Sequence, residues 1–280
     1  MTGLRQQMRL AYRGLGLTLL AAGCLLLLEG EALVRRGQPR PLLVRKWVRR
    51  FGRCVLRLFG VRLHAHGPYA DQGTCYPAAA DNGVGRVFVM NHRSGVDIAV
   101  LFAVVDAHMV SRHDLAGFPL IGLGARRIGT LFVDRSSRRS GADVQMEVGA
   151  ALERGEAVVL FPEGTVYADD VVRPFRPGAF KAALRAGAEI VPLGIAYVAG
   201  DEATFHSPSL IGHMVQIAKL PGLEAAVEIG TAIPADDRDP VDLRDAAHAQ
   251  VQQLVDRARR RLPGPAPQPA AESTGLATPD

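Results

Sequence analysis

Cysteine is scarce in this chain. The three that occur in 280 residues, Cys24, Cys54 and Cys75, are odd in number, far apart and without metal-ligand spacing. That argues against a disulfide framework or a zinc module and makes a reducing cytoplasm the expected compartment. His108 and His113 lack companions of metal-binding type, so no metal site is expected. Long apolar runs are also missing. The stretch from Gly14 to Leu28, interrupted only by Thr18, is 15 residues long, against the ~20 that a bilayer crossing usually takes. No small-x-small cleavage site follows it, and Glu29-Gly30-Glu31 comes next, which speaks against a cleaved signal peptide. Four leucines after Cys24, where a polar tether belongs, speak against an exported lipoprotein. There is no internal repeat and no recognisable nucleic-acid module.

What is present begins with charge asymmetry. Residues 1–66 hold 13 Lys and Arg against Glu29 and Glu31, a net charge of +11, whereas the whole chain is only +5. A basic end of this kind suits an anionic lipid surface, where each cation contributes on the order of 1 kcal/mol. Within it, Pro41 to Leu63 places Leu42, Leu43, Trp47, Val48, Phe51, Val55, Leu56, Leu58 and Phe59 largely on one helical stripe with arginines opposite, the pattern of a helix lying in the interface. Together with the first apolar run this reads as a two-helix anchor on the cytoplasmic face of the cell membrane. It is expected to be monotopic, with a single span through Val34 as the alternative. Membrane lipid is therefore an expected partner and nucleic acid is not.

Three stretches carry chemistry. Arg86 to Met90 reads as a buried strand and Asp97 to Val105 as a helix; between them lies Asn91-His92-Arg93-Ser94-Gly95-Val96-Asp97. An imidazole takes a proton from a hydroxyl near neutral pH, and a neighbouring carboxylate orients the ring. His92 and Asp97 would bracket a turn at a strand's carboxyl end, where open α/β sheets place ligands. The same residues also fit a plain reading, in which Asp97 caps the helix and His92 is a polar loop residue. Further on, Ala157 to Leu160 runs into Phe161-Pro162-Glu163-Gly164-Thr165. There Pro162 stops the strand, Gly164 lets N–H groups approach a ligand, and Glu163 and Thr165 offer polar contacts. Between the two, Gly129 to Arg135 ends on an arginine able to grip a phosphate in bidentate fashion.

These stretches in this order, NHRSGVD, GTLFVDR and FPEGT, followed by VPLGIAY from Val191 to Tyr197, resemble the four ordered motifs of the glycerolipid acyltransferase family, which includes the bacterial 1-acyl-glycerol-3-phosphate acyltransferases. The resemblance spans roughly residues 40–235. It implies that His92 is the general base on an acceptor hydroxyl and that Asp97 supports it. It also implies that Arg135, Glu163, Gly164 and Thr165 hold the acceptor head group, and that Pro192 shapes the acyl-donor side of the cleft. No cofactor, metal or covalent acyl-enzyme is implied; the donor is acyl-coenzyme A or acyl-carrier protein.

The expected reaction is transfer of a fatty acyl group to the free hydroxyl of a lysolipid, with 1-acyl-sn-glycerol-3-phosphate going to phosphatidic acid as the first expectation. One departure stands against that acceptor. Relatives active on it commonly carry Arg or Ser directly after FPEGT, and this chain has Val166, whose side chain cannot bind phosphate. Arg173, Arg176 and Lys181 downstream are the compensating cations, and each equally fits a solvated surface charge. Lyso-ornithine lipid or a lysophospholipid is the alternative acceptor, and a non-catalytic membrane-binding scaffold the alternative class.

The remaining pattern predicts an α/β fold, a mixed and mainly parallel sheet flanked by helices. Strands are expected at 62–66, 86–90, 107–111, 131–134, 157–161, 190–197 and 225–230, and helices at 97–105, 140–154, 178–186 and 240–261. The glycine-rich apolar segment 114–129 reads as a helix packed on the sheet, or as lining for an acyl chain. The expected division is an anchor at 1–66, a catalytic domain at 67–263 and a disordered tail at 264–280, rich in Pro, Ala and small polar residues.

Overall fold

A computed structural model of the chain describes residues 2–112, 119–128, 130–133, 138–167, 169–198, 210–235 and 238–264. Seven strands, β1 (Val61–His66), β2 (Val87–Met90), β3 (His108–Arg112), β4 (Leu131–Val133), β5 (Val158–Leu160), β6 (Ile190–Val198) and β7 (Leu223–Ile229), make one sheet. Its order is β1-β7-β6-β2-β5-β3-β4. Only the β6–β7 pairing is antiparallel; β2 lies parallel to both β5 and β6. The expected mixed, mainly parallel sheet is present, with each strand within two residues of its predicted ends.

Both faces of β2 are dry, which is why it reads as a continuous apolar run instead of an alternating one. Phe88 and Met90 face a core shared with α2 (Arg40–Leu58) and α3 (Val96–Val104). Val87 and Val89 face a second core built with α5 (Arg138–Glu153), α6 (Gly178–Ala186) and α8 (Pro240–Arg261). The start of α8 is written locally. Asp239 accepts a hydrogen bond from Val241 N at 2.7 Å, with Pro240 in the first turn. Its seat on β6 is set by Gly194, where a Cβ would stand 2.3 Å from the backbone nitrogen of Val255. No side chain fits between that strand and that helix.

Two helices depart from the sequence reading, one in where it packs and one in not being assigned at all. The first, α4 (Pro119–Arg127), falls in the segment read as a helix packed on the sheet, but it lies against α1 (Thr2–Val34) instead. Arg127 Nη1 is 2.7 Å from Glu29 Oε1, and Gly124 comes up to Leu25. The second, α7 (Leu210–Lys219), is ten residues long with Gly212 in its first turn, too short and too weak in helix propensity to show in the pattern.

The first helix extends well beyond its apolar run, because the charges at both ends find partners. Near the start, Arg13 is buried and caps two helix ends at once. Its Nε donates to Leu58 O at 3.1 Å, and its Nη1 donates to Leu220 O at 2.6 Å and Ala218 O at 3.2 Å. Near the end, Glu29 meets Arg40, while Glu31 accepts from Lys46 Nζ and Trp47 Nε1. So α1 is long and apolar enough to cross a membrane, yet it is fastened to the rest of the chain along its length. The other expected anchor helix, α2, has its inner face in the core, with Leu43, Val44, Gly52 and Leu56 buried.

Candidate active site

The site is built where β2 ends. Asn91 ties that end to β6 with two bonds, Nδ2 to Ile195 O at 3.0 Å and Ile195 N to Oδ1 at 2.9 Å. The chain then turns through His92 to Gly95 into α3. Asp97 lies in the first turn of that helix, but its carboxylate caps no helical N–H; it reaches back into the turn. Oδ2 accepts from His92 Nδ1 at 2.7 Å, Arg93 N at 2.8 Å and Ser94 N at 3.0 Å. Oδ1 accepts from the Tyr197 hydroxyl at 2.5 Å. The carboxylate is fully buried, whereas the His92 side chain keeps 21% exposure.

This arrangement fixes the proton on the ring. An ionised carboxylate only accepts, so Nδ1 carries hydrogen in the contact and Nε2 of the neutral ring carries the lone pair. Nε2 has no hydrogen-bond partner among the described residues. The ring is further held flat against Phe161, with centroids 3.9 Å apart and planes 15° from parallel. Burial first, and then the adjacent Asp97 carboxylate, push the Tyr197 phenol well above its ordinary range, so it stays a donor.

The second corner follows β5. Glu163 is buried and spans two segments, accepting from His92 N at 2.8 Å and from Arg173 N at 2.9 Å. Its part is thus to hold backbone, and burial raises its pKa above the ordinary value against the pull of those two N–H groups. Gly164 has φ +79°, and a Cβ there would stand 2.6 Å from the Arg176 guanidinium, so this turn needs glycine for its conformation and for the arginine lying over it. Thr165 is exposed.

The expected cations divide. Arg173 is engaged elsewhere, with Nη2 2.8 Å from Asp169 Oδ2 and its guanidinium over the Tyr167 ring. Arg176 is exposed beside Gly164, and Lys181 is exposed on α6; neither has an acidic partner among the described residues. Pro192 is not beside His92. It sits in β6 opposite Val89, with its ring against Gly230 on the α8 side of the sheet. Arg135 lies outside the described residues, as do residues 265–280 of the expected tail. Sequence reasoning missed Tyr197 and Phe161 as contacts of the pair, although both lie in quoted motifs. Their roles come from a strand pairing and a ring stack that spacing does not encode.

A cavity of about 180 Å³ lies at the opposite end of the sheet, lined by Val44, Val48, Phe102, Val105, Asp106 and His108. It is remote from His92. Among the described residues no group of three or more His, Cys, Asp or Glu side chains could hold a metal ion.

Set beside known proteins, the stretch that carries both corners is decisive: a family model described as Acyltransferase matches residues 77–196. Residues 77–196 form an acyltransferase-family domain. The chain is 27% identical to the lyso-ornithine lipid O-acyltransferase of Rhizobium meliloti, over 78% of this chain and 75% of that one. It is also 27% identical to the 1-acyl-sn-glycerol-3-phosphate acyltransferase of Neisseria meningitidis, over 52% of this chain and only 53% of that relative. Among solved structures, the 1-acyl-sn-glycerophosphate acyltransferase PlsC of Thermotoga maritima superposes with a TM-score of 0.70, covering 94% of this chain and 100% of that one at 19% identity. That likeness speaks for the fold alone.

Glu163 gives the site a pH signature. The carboxyl titrates near 4.5 without the fold, and burial raises that value in the native state. The folded chain therefore holds the proton where the unfolded chain has lost it, and this group's contribution to stability falls as pH rises from 4.5 through the folded pKa. In urea denaturation, the stability of wild type relative to Glu163→Gln should fall over that rise and stay level below it. A gap independent of pH would contradict the assignment.

Proposed function

We propose that the chain transfers a fatty acyl group from an acyl thioester to the free hydroxyl of a lysolipid, with His92 as general base. The observation that carries this reading is the Nδ1 contact to buried Asp97, 2.7 Å long, on a ring that keeps 21% exposure. The acceptor hydroxyl gives its proton to Nε2 as its oxygen attacks the thioester carbonyl. The imidazolium so formed is stabilised by Asp97, and the collapsing intermediate expels the thiolate, which takes up the proton. Base catalysis of this kind supplies typically 10²–10⁴-fold. The donor is acyl-coenzyme A or acyl-carrier protein, and no cofactor enters the scheme.

For the acceptor, Arg176 over the Gly164 turn, with Lys181 nearby in sequence on α6, supports a phosphate-bearing lysolipid such as 1-acyl-sn-glycerol-3-phosphate. Lyso-ornithine lipid is favoured instead by Val166 after FPEGT, by the commitment of Arg173 to Asp169, and by the longer match to the Rhizobium relative. Thioester consumption with purified protein and each acceptor tests both. His92→Ala should abolish turnover with the fold intact, and a near-normal rate would refute the base. Arg176→Ala should raise KM for the phosphate acceptor; no change in KM would remove that residue from head-group binding.

We infer further that the chain is monotopic and that the catalytic domain ends at about residue 263. The side of α1 that shows Leu4, Met8, Tyr12, Leu15, Leu19 and Leu26 is exposed, while the other side is clamped through Arg13, Glu29 and Glu31 to the body of the protein. A helix fastened in this way presents its apolar side to one leaflet, on the cytoplasmic face. Changing Leu15 and Leu19 together to Glu should release the protein from anionic vesicles in a flotation assay and leave its melting temperature near wild type. Undiminished flotation would sink this placement.

A further inference from the structure

Asp97 grips the turn between His92 and α3 from one side, and a second side chain grips it from the other. His213 of α7 is completely buried. Its Nε2 lies 3.1 Å from the backbone nitrogen of Gly95 and 3.0 Å from Ser94 Oγ. A backbone N–H can only donate, so Nε2 here is an unprotonated acceptor and the ring is neutral, with its proton on Nδ1. The Ser94 hydroxyl then donates to the same nitrogen while its oxygen accepts from Val96 N at 3.2 Å. Ser94 itself is fully buried, so the pair has no access to substrate and is not a nucleophile with its base.

Position explains why this contact matters. Ser94 N and Arg93 N bond to Asp97 Oδ2, the oxygen that orients His92. Any slip of Ser94 and Gly95 moves one of those donors, Ser94 N, and pulls on the adjoining residue that supplies the other, Arg93 N. The helix that carries His213 is fixed in turn by α1, whose Arg13 holds the carbonyls of Ala218 and Leu220 at its end. We propose that His213 is a positioning residue for acyl transfer, using Nε2 as an acceptor to set the Ser94–Gly95 turn and through it the aim of the His92 ring. The proposal rests on His92 being the general base.

The test compares His213→Leu with His213→Gln in the full-length protein, following thioester consumption and melting temperature. Leu fills the space without an acceptor, while Gln offers a carbonyl oxygen near the place of Nε2. For His213→Leu, kcat should fall on the order of 10²-fold, the loss expected of a misplaced catalytic group, with KM unchanged. His213→Gln should recover most of that rate. A wild-type kcat in His213→Leu would overturn the proposal. If His213→Leu does not fold, His213→Gln decides alone: folded and active supports the proposal, folded and slow overturns it. His92→Ala run alongside separates the two levels, since an active His92→Ala defeats the base itself, whereas an inactive one beside wild-type His213 variants defeats only this inference.

Discussion

The carboxylate of Asp97 is shut off from water, and four donors stand in for the solvent it has lost. An unpaired charge at this depth would cost several kcal/mol, so the turn that carries His92 closes around it. Two backbone N–H groups, one ring N–H and one phenol hydroxyl converge on its two oxygens. Satisfying that charge and aiming the imidazole are one act: the oxygen that needs the Arg93 and Ser94 donors also holds the Nδ1 proton of His92.

The rest of the fold serves to keep that act in place. Asn91 locks the end of β2 to β6, and β6 delivers Tyr197 from its far end. Glu163 joins the corner after β5 to the same turn through His92 N. Arg93 leads away from the site to Asp170, which also takes Arg259 of α8. Both corners are therefore attached to the C-terminal helix as well as to the sheet. On the other face, α1 is more than a greasy appendage, since Arg13 caps helix ends that belong to the body of the protein.

Much of this was written locally and could be read. The buried runs gave the central strands β2, β5 and β6, because a strand dry on both faces is apolar throughout, and the range of α8 was read as well. His92 and Asp97 were legible because four residues separate them and one tight turn joins them; Glu163 was legible as a polar residue at a strand end, though as a ligand contact and not as the brace it forms. The rest depends on partners distant in sequence. The Tyr197 bond to Asp97 and the position of Pro192 toward α8 follow from which strand lies beside which, and no spacing reports that. Gly212 and the short length of α7 hide a helix that tertiary contacts support, and the packing of α4 on α1 was not readable from its own segment. The length of α1 was hidden too, since charges that looked like ends are in fact paired.

The account turns on which nitrogen of His92 holds the proton, and nitrogen NMR of the protein labelled with 15N-histidine reads that directly, with His92 assigned by the signal lost in His92→Ala. Bonded to Asp97, the neutral ring should show a protonated Nδ1 and a bare Nε2. A ring protonated on Nε2 would leave no base facing the acceptor and would contradict the mechanism at its root.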